Sequence, residues 1–461
     1  MRLSSPWEAP FALDEAEVRR RARFAPPPLT GLDCQPVGVA ADLLEAAMRR
    51  VFEPTDQIVG VLVEILSLAR GHAHLTYPDM PSFRVGIHLR HPPLQASGTL
   101  LLVTGLAGVG KSAVLAALAR ILDAPDTLHV PSIGSVPLVL RWSQQIGERT
   151  SIASILQAMW GQACEAVDAA TGVPVDRRTT EVPPKRVTEL VSNLRARGFR
   201  DGVSLVSFDE FQFLTRSGDA NAHVTSLLFH LLSLGLPCVW AANYGLGHRL
   251  LRRPQEDLDR LFAREPLILF PDEPDSDDWQ RTIAALVAVA PAAFDIDIIA
   301  SAEELHEMTA GLRRYLRALL IEGYRVSRSG HGPVGMNSLR EAYKRRYAIK
   351  RRVVGFLRQI DCGVPPNRAQ QHLVCPFDVP VERIARRKEK ATADRTREAF
   401  RKLAHSQLTQ DERAAHMALQ TAAQKKGGSS SVTSIRGKRK TSQSLSLETL
   451  LAAESQRKTD K

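Results

Sequence analysis

The stretch "LLVTGLAGVGKSAVLAALARIL", residues 101–122, decides the fold of this chain. It joins a short apolar run typical of a buried strand, a glycine-rich turn and an alanine- and leucine-rich segment typical of a helix. Gly105, Gly110, Lys111 and Ser112 fit the pattern GxxxxGKS/T, whose backbone N–H groups wrap phosphate oxygens at a helix N-terminus. This P-loop predicts a nucleotide site with Lys111 on the β- and γ-phosphates and Ser112 on Mg²⁺.

The nucleotide expected in this loop is ATP, because the sequence contains no NKxD-type motif that reads guanine. The backbone of the loop and the start of the following helix are expected to surround the phosphates. The predicted ATP-binding residues are Gly105, Leu106, Ala107, Gly108, Val109, Gly110, Lys111, Ser112 and Ala113.

A second motif, "VSLVSFDEFQFL", lies about 100 residues after the P-loop. Its mostly apolar run predicts a buried strand that ends in two carboxylates. Asp209 is the predicted second partner of Mg²⁺, through the water shell of the metal. Glu210 is the predicted catalytic base that orients and deprotonates the attacking water.

Five short apolar runs alternate with helical stretches and predict an α/β fold with a parallel sheet. The predicted strands span residues 99–105, 136–142, 203–210, 236–243 and 266–270. The fourth ends in Asn243, which we expect to lie between the P-loop and the Asp-Glu strand and to hold the water or the γ-phosphate. A simple role as a strand cap is the alternative for Asn243.

The order of P-loop, Asp-Glu pair and polar strand end resembles the AAA+ class. The resemblance implies a five-stranded parallel sheet between helices, a helical lid, and ATP bound between subunits. It implies an arginine finger from a neighbouring subunit, for which Arg260 and Arg264 are the best placed, with Arg252 and Arg253 as weaker candidates. In "TAGLRRYLRALL", Arg313 or Arg314 resembles the sensor-2 arginine that touches the γ-phosphate from the lid.

The stretches "GLAGVGKS", "FDEFQFL", "AANYGLGHRLLRRPQEDLDRL" and "TAGLRRYLRALL" together resemble the AAA+ regulators of DNA transposition of the TnsC/TniB type, over residues 75–325. This resemblance implies a ring or filament that forms on duplex DNA with ATP, recruits and activates a transposase, and disassembles on hydrolysis. It also implies a target-selection protein as partner. Arg141 and Arg149 in "RWSQQIGERTS" are the implied DNA contacts.

Charge is distributed unevenly along the 461 residues. Residues 311–461 contain 33 Lys and Arg against 13 Asp and Glu, whereas residues 1–310 contain 28 against 37. A basic C-terminal third favours a polyanion partner such as nucleic acid, and it is the expected contact for transposase or nuclease subunits. Five scattered cysteines, without a CxxC pair, an apolar leader or a convincing membrane span, favour a cytoplasmic protein without membrane contact.

Composition and pattern together predict five regions. These are an N-terminal helical arm (1–95), the ATPase core (96–272), a helical lid (273–330), a basic helical C-terminal region (331–425) and a disordered tail (426–461) with a short amphipathic segment near its end.

Three other functions remain open from the sequence. A signalling ATPase of the NB-ARC kind usually carries a long repeat sensor, which is not visible here. A replication initiator or helicase loader shares the fold and the DNA, and a C-terminal helix-turn-helix would favour it. A nucleotide-binding scaffold without turnover is disfavoured by Glu210.

Overall fold

The structure is a computed structural model. It describes residues 5–89, 97–122, 126–147, 151–171, 186–211, 220–330 and 332–381, together with Pro92, Leu94, Ala385, Glu389, Thr392 and Thr396. The chain divides into two compact units, 1–397 and 398–461, and every described residue lies in the first. The predicted tail and its amphipathic segment therefore lie outside the described residues.

The described helices are α1 (Glu15–Ala22), α2 (Val37–Arg50), α3 (Asp56–Thr76), α4 (Met80–Ile87), α5 (Lys111–Leu122), α6 (Ile152–Thr171), α7 (Val187–Arg200), α8 (Ala220–Leu232), α9 (Tyr244–Leu250), α10 (Gln255–Leu261), α11 (Asp277–Val287), α12 (Ile298–Thr309), α13 (Arg313–Ser327), α14 (Met336–Arg345) and α15 (Ala348–Asp361). The described strands are β1 (Leu100–Gly105), β2 (Asp126–Val130), β3 (Gly134–Leu138), β4 (Arg141–Gln145), β5 (Leu205–Asp209), β6 (Cys238–Asn243) and β7 (Leu267–Leu269).

Five strands form one parallel sheet in the order β4-β5-β6-β1-β7. Every residue of β1 is buried, which explains why this strand appears in the sequence as a continuous apolar run. The predicted α/β fold with a five-stranded parallel sheet is confirmed.

The sheet register brings three motifs to one edge. In the pairing of β1 with β6, Gly105 lies opposite Asn243, and in the pairing of β5 with β6, Phe208 lies opposite Trp240. Because parallel strands share a direction, the carboxyl ends of β1, β5 and β6 are neighbours. The prediction that the Asn243 strand lies between the other two is confirmed.

One strand prediction is wrong in its bounds. The run 136–142 is divided between two sheets: β3 forms an antiparallel hairpin with β2, and β4 enters the main sheet only at Arg141. Ser132 in the turn of the hairpin and Gly134 at the start of β3 have positive φ, 71° and 103°. The sequence does not show that the chain passes from one sheet to the other here, because the linking residues 139–140 are also apolar and buried.

The N-terminal region packs both on the sheet and on the helices that follow it. Ala41 and Leu44 of α2 share a hydrophobic core with Leu316 and Leu320 of α13, whereas the buried face of α3 joins the core around the sheet. This helix is the one described segment long and apolar enough to cross a membrane, and much of it is buried in the protein. The N-terminal boundary at residue 95 stays a prediction.

The edge strand β7 is covered by a side chain from α3. The Gln57 amide donates to Ile268 O at 3.0 Å and accepts from Phe270 N at 3.3 Å. These two bonds occupy backbone groups that an exposed sheet edge would leave unpaired. Helix α3 thus braces the side of the sheet next to the P-loop strand.

Candidate functional site

The turn between β1 and α5 depends on its glycines. Gly108 and Gly110 have φ of 93° and 126°, a region that other residues enter only with strain. A Cβ on Gly105 would lie 2.5 Å from Leu269 O, so only glycine fits between β1 and β7. The turn brings the N-terminus of α5 to the open edge of the sheet, where its N–H groups can bind an anion.

Lys111 is the first residue of α5 and is only 7% exposed. Its Nζ donates to Gly105 O and Leu106 O, both at 2.9 Å. Burial lowers the pKa of Lys111 to about 8, while Asp209 acts in the opposite direction. The loop therefore holds a buried ammonium whose positive charge a bound phosphate would stabilise.

Asp209 ends β5, and Glu210 follows it in a left-handed conformation with φ of 64°. Glu210 N donates to Asp209 Oδ1 at 2.8 Å. The next residue, Phe211, is buried against Phe208 and Trp240, with ring centroids 5.8 and 5.2 Å away. This anchor returns the chain to the core and holds Glu210 at the edge, at a backbone cost of about 1 kcal/mol or more.

The electrostatics of Glu210 suit a base. Burial, followed by the neighbouring Asp209 carboxylate, raises its pKa, while Arg314 and Lys111 lower it. A carboxyl with a raised pKa accepts a proton more readily than an ordinary surface carboxylate. Four charged side chains thus influence one another at the sheet edge: Lys111, Asp209, Glu210 and Arg314.

Asn243 is half-buried at the end of β6, directly beside Gly105 in the register. It is also the N-cap residue of α9, but its side chain makes no capping hydrogen bond. The capping role that Asn often has at a helix start is therefore not what its amide does here. Its function in the site stays a prediction.

The two arginines at the start of α13 have different surroundings. Arg313 Nη1 donates to Glu53 O at 2.8 Å, and its Nε lies 3.6 Å from Asp272 Oδ2. Arg314 instead lies against the P-loop. Its backbone N–H donates to Gly108 O at 3.4 Å, and a Cβ on Gly108 would lie 2.8 Å from Arg314 Cβ. Of the pair, Arg314 faces the loop.

The finger candidates lie beyond β6. Arg260 of α10 is exposed and lies over the Phe229 ring at 5.9 Å. Arg264 is paired at 3.2 Å with Glu64 of its own chain, and Arg253 is paired at 2.9 Å with Asp257. Arg252 is exposed. Their role towards a neighbouring subunit stays a prediction.

The DNA contact expected at Arg141 is wrong in this conformation. Arg141 is 8% exposed at the start of β4, and its Nη1 donates to Ser207 Oγ at 2.7 Å inside the sheet. A buried, bonded guanidinium does not reach a phosphate backbone. Arg149 lies outside the described residues.

The residues fit a magnesium ion shared with phosphates. Ser112 places an exposed hydroxyl one residue after Lys111, and Asp209 supplies a carboxylate at the end of β5, which β6 separates from β1. Both are hard oxygen ligands, and Mg²⁺ is usually bound by one or two such groups together with substrate phosphates. Within the described ranges, no group of three or more His, Cys, Asp or Glu could hold a metal alone. None of the five cysteines, all of which lie in the described ranges, forms a disulfide.

Comparison with known proteins identifies the core of the chain. Residues 88–240 match the family model described as an AAA ATPase domain, and the chain therefore contains such a domain. No curated protein sequence gives a significant match.

Several solved structures are similar in fold. A Walker-type ATPase of Pyrococcus abyssi is 15% identical over 68% of this chain and 87% of its own, with a TM-score of 0.37. The ORC1 protein of Aeropyrum pernix, solved in complex with DNA, is 19% identical over 64% and 72%, with a TM-score of 0.35. Drosophila ORC bound to DNA is 16% identical over 71% and 83%, with a TM-score of 0.33.

Proposed function

We propose that this protein is an ATPase that hydrolyses ATP to ADP and phosphate at the edge formed by β1, β5 and β6. The observation that carries the proposal is the meeting of Lys111, the Asp209–Glu210 pair and Asn243 at adjacent strand ends. Each supplies a different requirement of phosphoryl transfer: charge on the phosphates, a base for water, and a polar group to position it.

In the proposed mechanism, the loop N–H groups and Lys111 bind the β- and γ-phosphates. Mg²⁺, held by Ser112 and Asp209, would neutralise charge on the phosphates. Glu210 accepts the proton of the attacking water, and Asn243 orients that water or the γ-phosphate. Arg314 reaches the γ-phosphate from the lid, while Arg313 fixes the start of α13 through Glu53 and Asp272.

We further propose that the ATPase is a cytoplasmic regulator of DNA transposition. ATP bound between subunits, with Arg260 or Arg264 of a neighbour completing the site, would assemble a ring or filament on duplex DNA. The basic C-terminal third supports a nucleic-acid partner and supplies a contact for transposase or nuclease subunits. Hydrolysis would dismantle the assembly, with a target-selection protein deciding where it forms.

Fluorescence anisotropy of labelled duplex DNA tests this proposal. The full chain and Lys111→Ala are compared with an ATP analogue, with ADP and without nucleotide, over a salt series. The proposal expects tight, length-dependent binding only with the analogue, lost in the variant and weakened by salt.

Three results contradict the proposed regulator of transposition. Equal binding in every nucleotide state would assign the DNA contact to the basic tail alone. Absence of binding at moderate salt would favour the signalling ATPase. If ATP-dependent binding recruits a replicative helicase rather than a transposase, the replication alternative is correct.

A further inference from the structure

Helices α2, α13 and α15 enclose a half-open cavity of about 470 Å³ on the lid. Its cations come from all three helices: Arg49 from α2, Arg314, Arg317 and Arg325 from α13, and Lys350 from α15. The volume lies in the range of small-ligand pockets. Neither the ATPase mechanism nor the packing of the lid requires so many cations around one space.

Two carboxylates on the wall balance only part of this charge. Glu45 accepts from Arg49 Nε at 3.0 Å, and Glu322 accepts from Arg325 Nη1 at 2.7 Å. Each of these arginines therefore has an anionic partner inside the cavity. Lys350 lies over the Tyr347 ring at 5.3 Å, a contact that leaves its ammonium available to an anion.

Among the described residues, Arg317 is the clearest case of a positive charge in the cavity without a carboxylate partner. It is half-buried, and within the described part of the chain no hydrogen bond or ion pair engages its guanidinium. Burial lowers the pKa of Arg317, and the nearby Arg49 acts in the same direction, whereas Glu45 raises it. Arginine keeps its charge in proteins, so this cluster stores repulsion that a bound anion would relieve.

The cavity extends well beyond the P-loop site. Arg314 lies in the first turn of α13, beside Gly108, and Arg325 lies eleven residues later, about 16 Å along the helix axis. A nucleotide held by Lys111 places its phosphates at the first turn. The cations on the later turns, and those of α2 and α15, would need a second anion.

We propose that this cavity is a second anion site, which takes a small phosphate-bearing ligand such as a polyphosphate or a nucleotide phosphate chain. Arginine and lysine donors converging from three helices suit the several oxygens of a phosphate group. A cavity of about 470 Å³ has room for a small ligand of this kind, whereas a duplex is too large to enter it. The site is independent of whether the P-loop hydrolyses ATP.

Calorimetric titration with inorganic tripolyphosphate tests the proposal. The wild-type chain, Lys111→Ala, Arg317→Gln and the double variant are compared. We expect two sites in the wild type, one weakened by Lys111→Ala and the other weakened roughly tenfold or more by Arg317→Gln, the loss expected for a charge-assisted contact. The double variant should lose both.

Arg340→Gln is the matched control, because Arg340 is an arginine of α14 outside the cavity whose Nε is paired with Glu304 at 2.6 Å. It should leave both sites unchanged. Lys350→Gln should weaken the same site. Because Lys350 lies on α15 and Arg317 on α13, the same loss in both variants cannot come from a local folding defect in α13.

Several outcomes overturn the proposal. One is a single tripolyphosphate site that Lys111→Ala abolishes. Another is binding by Arg317→Gln and Lys350→Gln equal to that of the wild type. If the cavity variants weaken duplex-DNA binding but not tripolyphosphate binding, the ligand class is wrong and the cavity is a nucleic-acid contact.

Discussion

At the scale of single residues, two adjacent arginines at the start of α13 differ in their contacts. Arg313 holds neighbouring segments together, whereas Arg314 faces the P-loop. Arg313 is partly buried, donates to Glu53 O and is ion-paired with Asp272 at 3.6 Å, while Arg314 is exposed and lies against Gly108. The sequence motif alone offered both for the same role. The contacts of Arg313 with Glu53 and Asp272, and of Arg314 with Gly108, separate them.

Exchanging each arginine for alanine should therefore give opposite phenotypes. Arg313→Ala should lower the free energy of unfolding by about 2–3 kcal/mol, because it leaves Asp272 and Glu53 O without their bonds to the guanidinium. Arg314→Ala should change stability by less than about 0.5 kcal/mol but reduce ATP turnover by about tenfold or more. Chemical denaturation and steady-state hydrolysis measure the two effects. Equal loss of stability in both variants would contradict the assignment.

The pKa of Lys111 gives a pH prediction. The ammonium binds phosphate only when it is protonated, and burial lowers its pKa to about 8 in the free protein. ATP affinity should therefore be constant below about pH 7 and fall about tenfold by pH 9, as the proton is lost. Titration of a fluorescent ATP analogue from pH 6 to 9 checks this. Lys111→Ala should bind weakly without that pH dependence, and an equal decline in this variant would assign it to another group.

At the scale of elements, a strap formed by residues 368–378 returns to the ATPase core after α15. Val374 O lies 2.9 Å from His248 Nε2, and the Phe377 ring packs on Phe262 with centroids 5.5 Å apart. The strap thereby fixes α9 and the end of α10, the segment that carries the finger candidates. Sequence patterns cannot show such a contact, because it joins short irregular segments more than 100 residues apart.

Two glycines of α9 provide a matched test of the strap. A Cβ on Gly247 would lie 2.8 Å from Pro376 Cγ and 3.1 Å from Phe377, whereas a Cβ on Gly245 would lie 3.7 Å from His372. Gly247→Ala should release the strap and cost about 1–3 kcal/mol of stability, despite the helix propensity of alanine. Gly245→Ala should be neutral or stabilising. The rate of amide hydrogen exchange in residues 368–378 should rise only in Gly247→Ala. If these amides stay protected in both variants, the strap does not pack tightly on Gly247.

At the scale of the whole molecule, the sequence predicted the sheet, the P-loop and the order of the strand ends because each depends on local pattern. The glycine turn and the apolar runs at 101–122 and 203–210 are short-range signals. The hairpin of β2 with β3, the burial of Arg141 and the edge contact of Gln57 with β7 depend on partners distant in sequence. The sequence does not show whether an arginine is exposed to solvent. The prediction that Arg141 contacts DNA was wrong for this reason.

The assembly itself makes a prediction about the finger. In the proposed ring or filament, head-to-tail subunits would place the base of one beside the arginine of the next. Arg260→Ala and Glu210→Gln should each be inactive alone, yet an equal mixture should recover about a quarter of wild-type turnover, the share of random interfaces with both groups intact. Arg264→Ala should lose less, because that side chain is paired with Glu64 of its own chain. A mixture without recovery would exclude Arg260 as a finger acting in trans.

Single-turnover and steady-state hydrolysis of ATP by Glu210→Gln, beside the wild type and Lys111→Ala, tests the central claim most directly. If Glu210 is the base, the variant should bind ATP within a few-fold of the wild type while its turnover falls by about 10²–10³, and Lys111→Ala should lose binding as well. Turnover by Glu210→Gln equal to that of the wild type would contradict hydrolysis at this site by this base. The chain would then use its P-loop to hold a nucleotide without Glu210-dependent chemistry.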